Sequence, residues 1–314
     1  MTVRVGLVGL GAMGRTHLQV LRSLGDVAVV AGADVNPQAL SASGLPVTYG
    51  DPLELVRDAD VDAVLVASSD PSHAELVLAC LDRRLPVLCE KPLTTTFGDA
   101  QRILDAEAAI GRRLVQVGFM RRFDAAFGAV ADAVHAGAVG PLAVVHTVHR
   151  NPVSAFAFEP SVLVANSASH DVDLVRWFTG DEVAEVTCES VAGADPRFAS
   201  VLLRLTTRRG VLASTELTYG EFSYDVRCEV VGRTGAVSSP IAEHRTVTGW
   251  AARFAQAYRD QDAQWIASVR SGVPVGASAW DGYANVRVLE AAMRAWRSGQ
   301  RVSVEQPVRP DTYR

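Results

Sequence analysis

The stretch Gly9-Leu10-Gly11-Ala12-Met13-Gly14 narrows the fold of this chain more than any other, because of what flanks it. Val3 to Gly9 is an apolar run rich in β-branched residues, and Arg15 to Leu24 carries its apolar residues at helical spacing. A glycine pattern that is weak evidence alone becomes, between a strand and a helix, a dinucleotide-binding turn. Gly9 makes the tight turn, Gly11 lets a pyrophosphate approach the backbone, and Gly14 lets the helix pack closely on the strand. Ala12 and Met13 open that helix, whose first N–H groups face the phosphates. A second strand, Val27 to Ala33, ends in Asp34, 20 residues beyond Gly14. A carboxylate there accepts hydrogen bonds from ribose hydroxyls and repels a 2′-phosphate. Val35-Asn36-Pro37 brings no arginine to receive one, so the expected cofactor is NAD, preferred over NADP.

The alternation continues with a helix over Asp51 to Asp58, a buried strand over Ala63 to Ala67, a helix over Ser72 to Leu85 capped by Ser72, and a strand over Pro86 to Cys89. A helix over Thr94 to Ile110 and a last strand over Arg113 to Gly118 follow. Strands alternating with helices predict a Rossmann doubly wound parallel sheet over residues 1–120, with its ligands at the carboxyl ends of the strands. The loop Ser68-Ser69-Asp70-Pro71-Ser72-His73 lies at such an end, which makes Ser68, Ser69 and His73 candidates to border the cofactor; Ser72 and His73 could equally do no more than start a helix. Glu90 and Lys91 stand at another. Lys91 is the only lysine of the sequence, so the remaining basic residues are all arginine. A lysine can lose its proton when buried and a guanidinium cannot, which marks Lys91 as chemically required rather than as a surface charge.

Residues 121–314 change pattern. A helix over Ala125 to Ala136 precedes five strands: Ala143 to His149, Val183 to Ser190, Ala199 to Thr206, Val211 to Leu217 and Val226 to Val231. Amphipathic helices follow near Ala251 to Arg270 and Ser278 to Arg297. Runs of strands after a βα domain predict an α+β domain on a large, mostly antiparallel open sheet. Its polar constellations are His146 to Asn151, which could be a plain exposed strand end, and Asn166 to Asp173, with a helix beginning near Ser169. Asn166 and His170 stand four apart and share a face if the spacing is helical. A lone histidine is more often structural than catalytic, but the hydrogen-bonding groups crowded around His170 favour a catalytic role.

A formal charge of −5 argues against nucleic acid or an anionic membrane as the main partner. The four cysteines lie far apart without zinc spacing, so no metal site is expected, and the absence of an apolar span or cleavable leader predicts a cytoplasmic protein.

At these residues the chain resembles the glucose-fructose oxidoreductase, inositol dehydrogenase and rhizopine catabolism family (Gfo/Idh/MocA), and within it the inositol 2-dehydrogenase branch. The resemblance is carried by the glycine turn with Met13, Glu90-Lys91-Pro92, Gly118 to Asp124, His149-Arg150-Asn151 and His170-Asp171-Val172-Asp173, in that order. It implies reversible oxidation of a ring secondary alcohol, on a cyclitol or sugar, by a homotetramer packed through its open sheets. It implies that Lys91 binds the reacting hydroxyl, His170 removes its proton, and His149, Asn151, Asp173 and Tyr224 hold other hydroxyls. A cis bond before Pro92 is also implied. The branch carries an acid where this chain has Asn166, and an amide can orient the imidazole but supplies no charge, so His170 is expected to be a weaker base. Two other functions fit the same motifs: an NAD-dependent glycosidase, recognised by aglycone release without net NADH, and a sensor that has lost its chemistry.

Overall fold

The computed structural model describes residues 2–152, 159–193, 195, 197–221, 224–240, 249–305 and 307–313. The chain divides into two compact units. The first holds Met1–Met120, Tyr258–Val286 and Val308–Arg314; the second holds Arg121–Ala257 and Arg287–Pro307.

The first unit is built on β1 (Val3–Val8), β2 (Val27–Ala33), β3 (Val47–Tyr49), β4 (Ala63–Val66), β5 (Val87–Glu90) and β6 (Val115–Gly118). These six run parallel in the order β6-β5-β4-β1-β2-β3, so the winding reverses between β1 and β4, beside the glycine turn. Strands buried on both faces read as unbroken apolar runs, and β4 and β5 are buried at every position. The connecting helices are α1 (Ala12–Ser23), α2 (Pro37–Ser43), α3 (Pro52–Asp58), α4 (His73–Asp82) and α5 (Phe97–Ile110). Three of them start where side chains meet the first free N–H groups: Asn36 caps α2, Asp51 caps α3 and Thr96 caps α5. Ser72 does not cap α4. Its hydroxyl is spent within a 3₁₀ turn, donating to the Ser69 carbonyl at 2.8 Å, and the helix begins one residue later at His73.

The second unit carries β7 (Leu142–Pro152), β8 (Val183–Ala192), β9 (Ala199–Thr207), β10 (Leu212–Glu221), β11 (Asp225–Gly232), β12 (Gly235–Ser238) and β14 (Val302–Ser303), in the order β12-β11-β7-β10-β9-β8-β14. Only β7 and β10 pair in parallel. The helices α6 (Ala125–His135) and α8 (Ser169–Thr179) pack on each other and on this sheet; α8 follows the short helix α7 (Pro160–Val162) and a π-helical turn over Leu163–Ser167. On β9 the inward residues Ala199, Val201, Leu203 and Leu205 are buried while Leu202 and Arg204 point out, the alternation of a sheet covered on one side.

The division at residue 120 does not hold for the end of the chain. After α9 (Trp250–Arg253), α10 (Ala255–Ser271) places Trp265 and Ile266 in one apolar cluster with Val3, Leu7, Leu18 and Leu21. The two-residue strand β13 (Ala277–Ser278) pairs antiparallel with β6. The start of α11 (Ala279–Ser298) buries Trp280 and Tyr283 against Leu93, Val117 and Phe119. Burial of these aromatic surfaces, about 150–250 Å² each, outweighs proximity along the chain. Trp265→Ala is therefore expected to cost the nucleotide unit about 3–5 kcal/mol, read by urea unfolding. A change below about 1 kcal/mol would show that α10 is no part of that core.

Candidate active site

The carboxyl ends of β1, β4, β5 and β6 gather the candidate groups of the first unit. Gly9 has φ +87°, and a Cβ there would stand 2.4 Å from the Ala67 carbonyl oxygen, so only glycine turns the chain here. A Cβ on Gly14 would meet the Gly9 carbonyl at 1.8 Å, which is the close helix and strand contact foreseen in the sequence. Gly11 has nothing within 4 Å of its missing side chain, and as N-cap of α1 it leaves the first N–H groups without a side-chain partner. An open glycine face before uncapped amides is a cradle that fits a pyrophosphate. Asp34 accepts the Leu10 N–H at 2.7 Å with one oxygen and the Asn36 N–H at 2.8 Å with the other. It thereby ties β2 to the glycine turn, and each oxygen keeps a lone pair for a ribose hydroxyl.

In the loop after β4, Ser69 is exposed and Ser68 half-buried, its Oγ 2.6 Å from that of Ser72. His73 corrects the expectation that its ring meets the cofactor. It is fully buried, with Nδ1 2.8 Å from the Pro92 carbonyl and Nε2 3.2 Å from that of Ser68. Its imidazole joins two loops and offers neither nitrogen outward. The Lys91-Pro92 bond is cis. Lys91 is half-buried, and its main-chain N–H donates to Glu90 Oε2 at 3.1 Å. Glu90 is 6% exposed; its Oε1 lies 3.0 Å from Nε2 of His17, whose Nδ1 lies 2.8 Å from Asp262. A Cβ on Gly118 would come within 2.9 Å of Glu90 Oε1, so the neighbouring strand makes room for this carboxylate. A cavity of about 790 Å³ at the other end of the strands, beside Arg4, Asp62, Pro86 and Gln116, contains none of these groups.

In the second unit, His170 is the second residue of α8 and is 8% exposed. Asn166 lies half-buried in the preceding π-helical turn, so the spacing to His170 is not that of one regular helix. The acids that follow His170 are held by an adjacent arginine pair. Arg121 donates to Asp171 at 2.9 Å, and Arg122 grips Asp173 with two hydrogen bonds of 2.6 and 2.9 Å. Asp171 also receives Nδ1 of His149 at 3.0 Å. Burial alone would raise the pKa of Asp171, but the Arg121 charge and the His149 hydrogen bond and charge outweigh it and hold the carboxyl below its ordinary value. Asp173, expected to meet substrate directly, is 1% exposed with both oxygens receiving Arg122, so it acts as the anchor of that arginine. Tyr224 is 3% exposed, its ring edge against Phe254 at 6.3 Å, and burial pushes its phenol up. Asn151, half-buried near the end of β7, has a buried side-chain Nδ2 without a partner among the described residues.

His17, Arg121, Arg122, Asp171 and Asp262 were absent from the expected site residues. His17 could have been found, because it shares a helical stripe with Gly14, Leu18 and Leu21 that is otherwise apolar. The Arg121-Arg122 pair preceding two acids was a second signal.

Residues 3–119 match the oxidoreductase family with an NAD-binding Rossmann fold, GFO_IDH_MocA, and residues 127–238 match the GFO/IDH/MocA C-terminal domain. The chain is 40% identical to inositol 2-dehydrogenase 1 of Saccharopolyspora erythraea, over 100% of this chain and 99% of that one. It is 36% identical to inositol 2-dehydrogenase of Ralstonia nicotianae, over the full length of both. The crystal structure of myo-inositol dehydrogenase from Lactobacillus casei, in complex with NAD(H) and myo-inositol, superimposes over 100% of both chains with a TM-score of 0.93 at 31% identity.

A lowered carboxyl pKa contributes stability above the ordinary carboxylate range that is lost as pH falls through the folded value. Asp171→Asn, which leaves Arg121 without its buried counterion, is expected to cost about 3–5 kcal/mol at neutral pH. Melting temperatures followed downward in pH should converge for variant and parent below about pH 4. A constant difference across that range would show that the ionised form is not what Arg121 and His149 stabilise.

Proposed function

Because the chain belongs to the Gfo/Idh/MocA oxidoreductase family along its whole length, we propose that it reversibly oxidises one ring hydroxyl of a cyclitol of inositol type, or of a sugar, to the ketone with NAD. The observation that carries this reading is the position of the sole lysine, at the carboxyl end of a buried parallel strand with its main chain fixed on Glu90. NAD, when bound, supplies the hydride acceptor. The glycine face and the amino end of α1 receive its pyrophosphate, and the Asp34 carboxylate its ribose hydroxyls, which favours NAD over NADP. Glu90 serves that site by holding Lys91.

Lys91 donates from its ammonium to the reacting hydroxyl and stabilises the oxyanion that develops there. His170 removes the hydroxyl proton. His149, whose Nδ1 is committed to Asp171, presents Nε2 to a further hydroxyl, and the Asn151 amide donates to another. Asp173 contributes through Arg122. We propose further that the protein is a homotetramer packed through the second sheet, as the family resemblance implies.

NADH formation with NAD or NADP against myo-inositol, scyllo-inositol, amino-inositols and aldoses tests this reading. Turnover with NAD on one cyclitol is expected, reduced about 10²–10³-fold or more in Lys91→Met. Aglycone release from a glycoside without net NADH would replace it by the glycosidase, and NAD binding without any turnover by a sensor. With the side chain at position 166 turned to the His170 imidazole, as the family resemblance implies, Asn166→Asp sets a carboxylate there, which stabilises the protonated ring and raises its pKa. The acid limb of kcat/KM should then move to higher pH and the plateau rise; superimposable profiles would remove Asn166 from the mechanism.

A further inference from the structure

His17 sits on the buried face of α1 and is 0% exposed. Its Nδ1 lies 2.8 and 3.1 Å from the two oxygens of Asp262, on α10, and its Nε2 lies 3.0 Å from Glu90 Oε1, on β5. The Tyr258 ring stands edge-on at 5.6 Å. These titratable groups face it from two other elements of the first unit. An ionised carboxylate only accepts hydrogen bonds, so two of them facing both ring nitrogens call for a proton on each. With both carboxylates ionised the ring is an imidazolium between two anions, and the three groups together carry one net negative charge. Glu90's second oxygen receives the main-chain N–H of Lys91. A continuous line of hydrogen bonds therefore runs from α10 through α1 to the residue that bears the only lysine amine.

We propose that His17 is a positioning residue for Lys91: clamped between Asp262 and Glu90, it holds the Glu90 carboxylate in the orientation that fixes the Lys91 main chain, and it halves the negative charge buried behind the lysine. This rests on the reading of Lys91 as the group that binds the reacting hydroxyl. Burial by itself would drive the imidazolium to release its proton. The charge and hydrogen bond of Asp262, followed by those of Glu90, outweigh burial and carry the pKa up to about 10. The clamp thus keeps its charge through the range in which a dehydrogenase is assayed. Without the cation, Glu90 and Asp262 would face a neutral group as two buried anions, and the Glu90 carboxylate would turn away.

The test compares the parent protein with His17→Gln and the double variant His17→Gln/Asp262→Asn. In the double variant the new amide at position 262 can donate to the side-chain carbonyl introduced at position 17, whose NH₂ group in turn donates to Glu90. That restores the line of hydrogen bonds and the single net negative charge. Because the chain has one lysine, labelling with ¹³Cε-lysine gives one side-chain resonance, and its titration reports Lys91 without turnover. His17→Gln should move the Lys91 midpoint upward, toward the extra negative charge, and the double variant should return it toward the parent value. With the cyclitol substrate, His17→Gln should lose about 10²-fold in kcat at an unchanged Kd for NAD, and the double variant should regain part of that loss. A Lys91 resonance and midpoint identical in all three proteins would overturn the proposal, as would a double variant no better than the single one. If the parent turns over no cyclitol or sugar, the assigned activity fails, while the lysine titration still decides whether His17 positions Lys91.

Discussion

Charge taken out of water must be met by opposite charge or by hydrogen bonds, and this constraint arranges both units of the protein. In the first, Glu90 ends a strand buried at every position, and it is met by His17, by the Lys91 N–H and by the space left at Gly118. In the second, Asp171 and Asp173 lie in the first turns of a buried helix, and each is met by one arginine of an adjacent pair. The groups we propose to touch a ligand, Lys91 and His170, follow or precede these acids directly in sequence. Their backbone is therefore held by the same bonds that neutralise the buried acids.

Much of this was legible in the residues. The glycine turn, Val27 to Ala33, Asp34, the approach to Lys91 and the start of α8 at Ser169 appear where the patterns put them, because apolar periodicity and turn chemistry are local signals. The short strands β3, β12, β13 and β14 went unread, since two to four residues carry no period. The return of α10 and the start of α11 to the first core could not be seen either, because an amphipathic stripe shows that a helix covers something and not which sheet it covers. At the candidate site, residue types pointed to segments but not to the partners of their side chains. His73 and Asp173 read as ligand contacts, and it is tertiary bonding to Pro92, Ser68 and Arg122 that turns them inward. His17 escaped for the opposite reason: its partner Asp262 lies 245 residues away in the chain.

The arginine bias has a structural use at several of these places. A guanidinium presents a planar fork that matches a carboxylate, as Arg122 does to Asp173, Arg176 to Glu182 and Arg150 to Glu216. A lysine could replace the charge at such positions but not the two parallel bonds.

The solitary lysine has a further consequence. Side-chain amine chemistry on this chain, whether acylation, carbamylation, glycation or reaction with an aldehyde, has a single address, and that address is the half-buried end of β5. On the proposal that Lys91 binds the reacting hydroxyl, amine reagents that merely decorate the outside of ordinary proteins would here act at one atom and register as loss of activity.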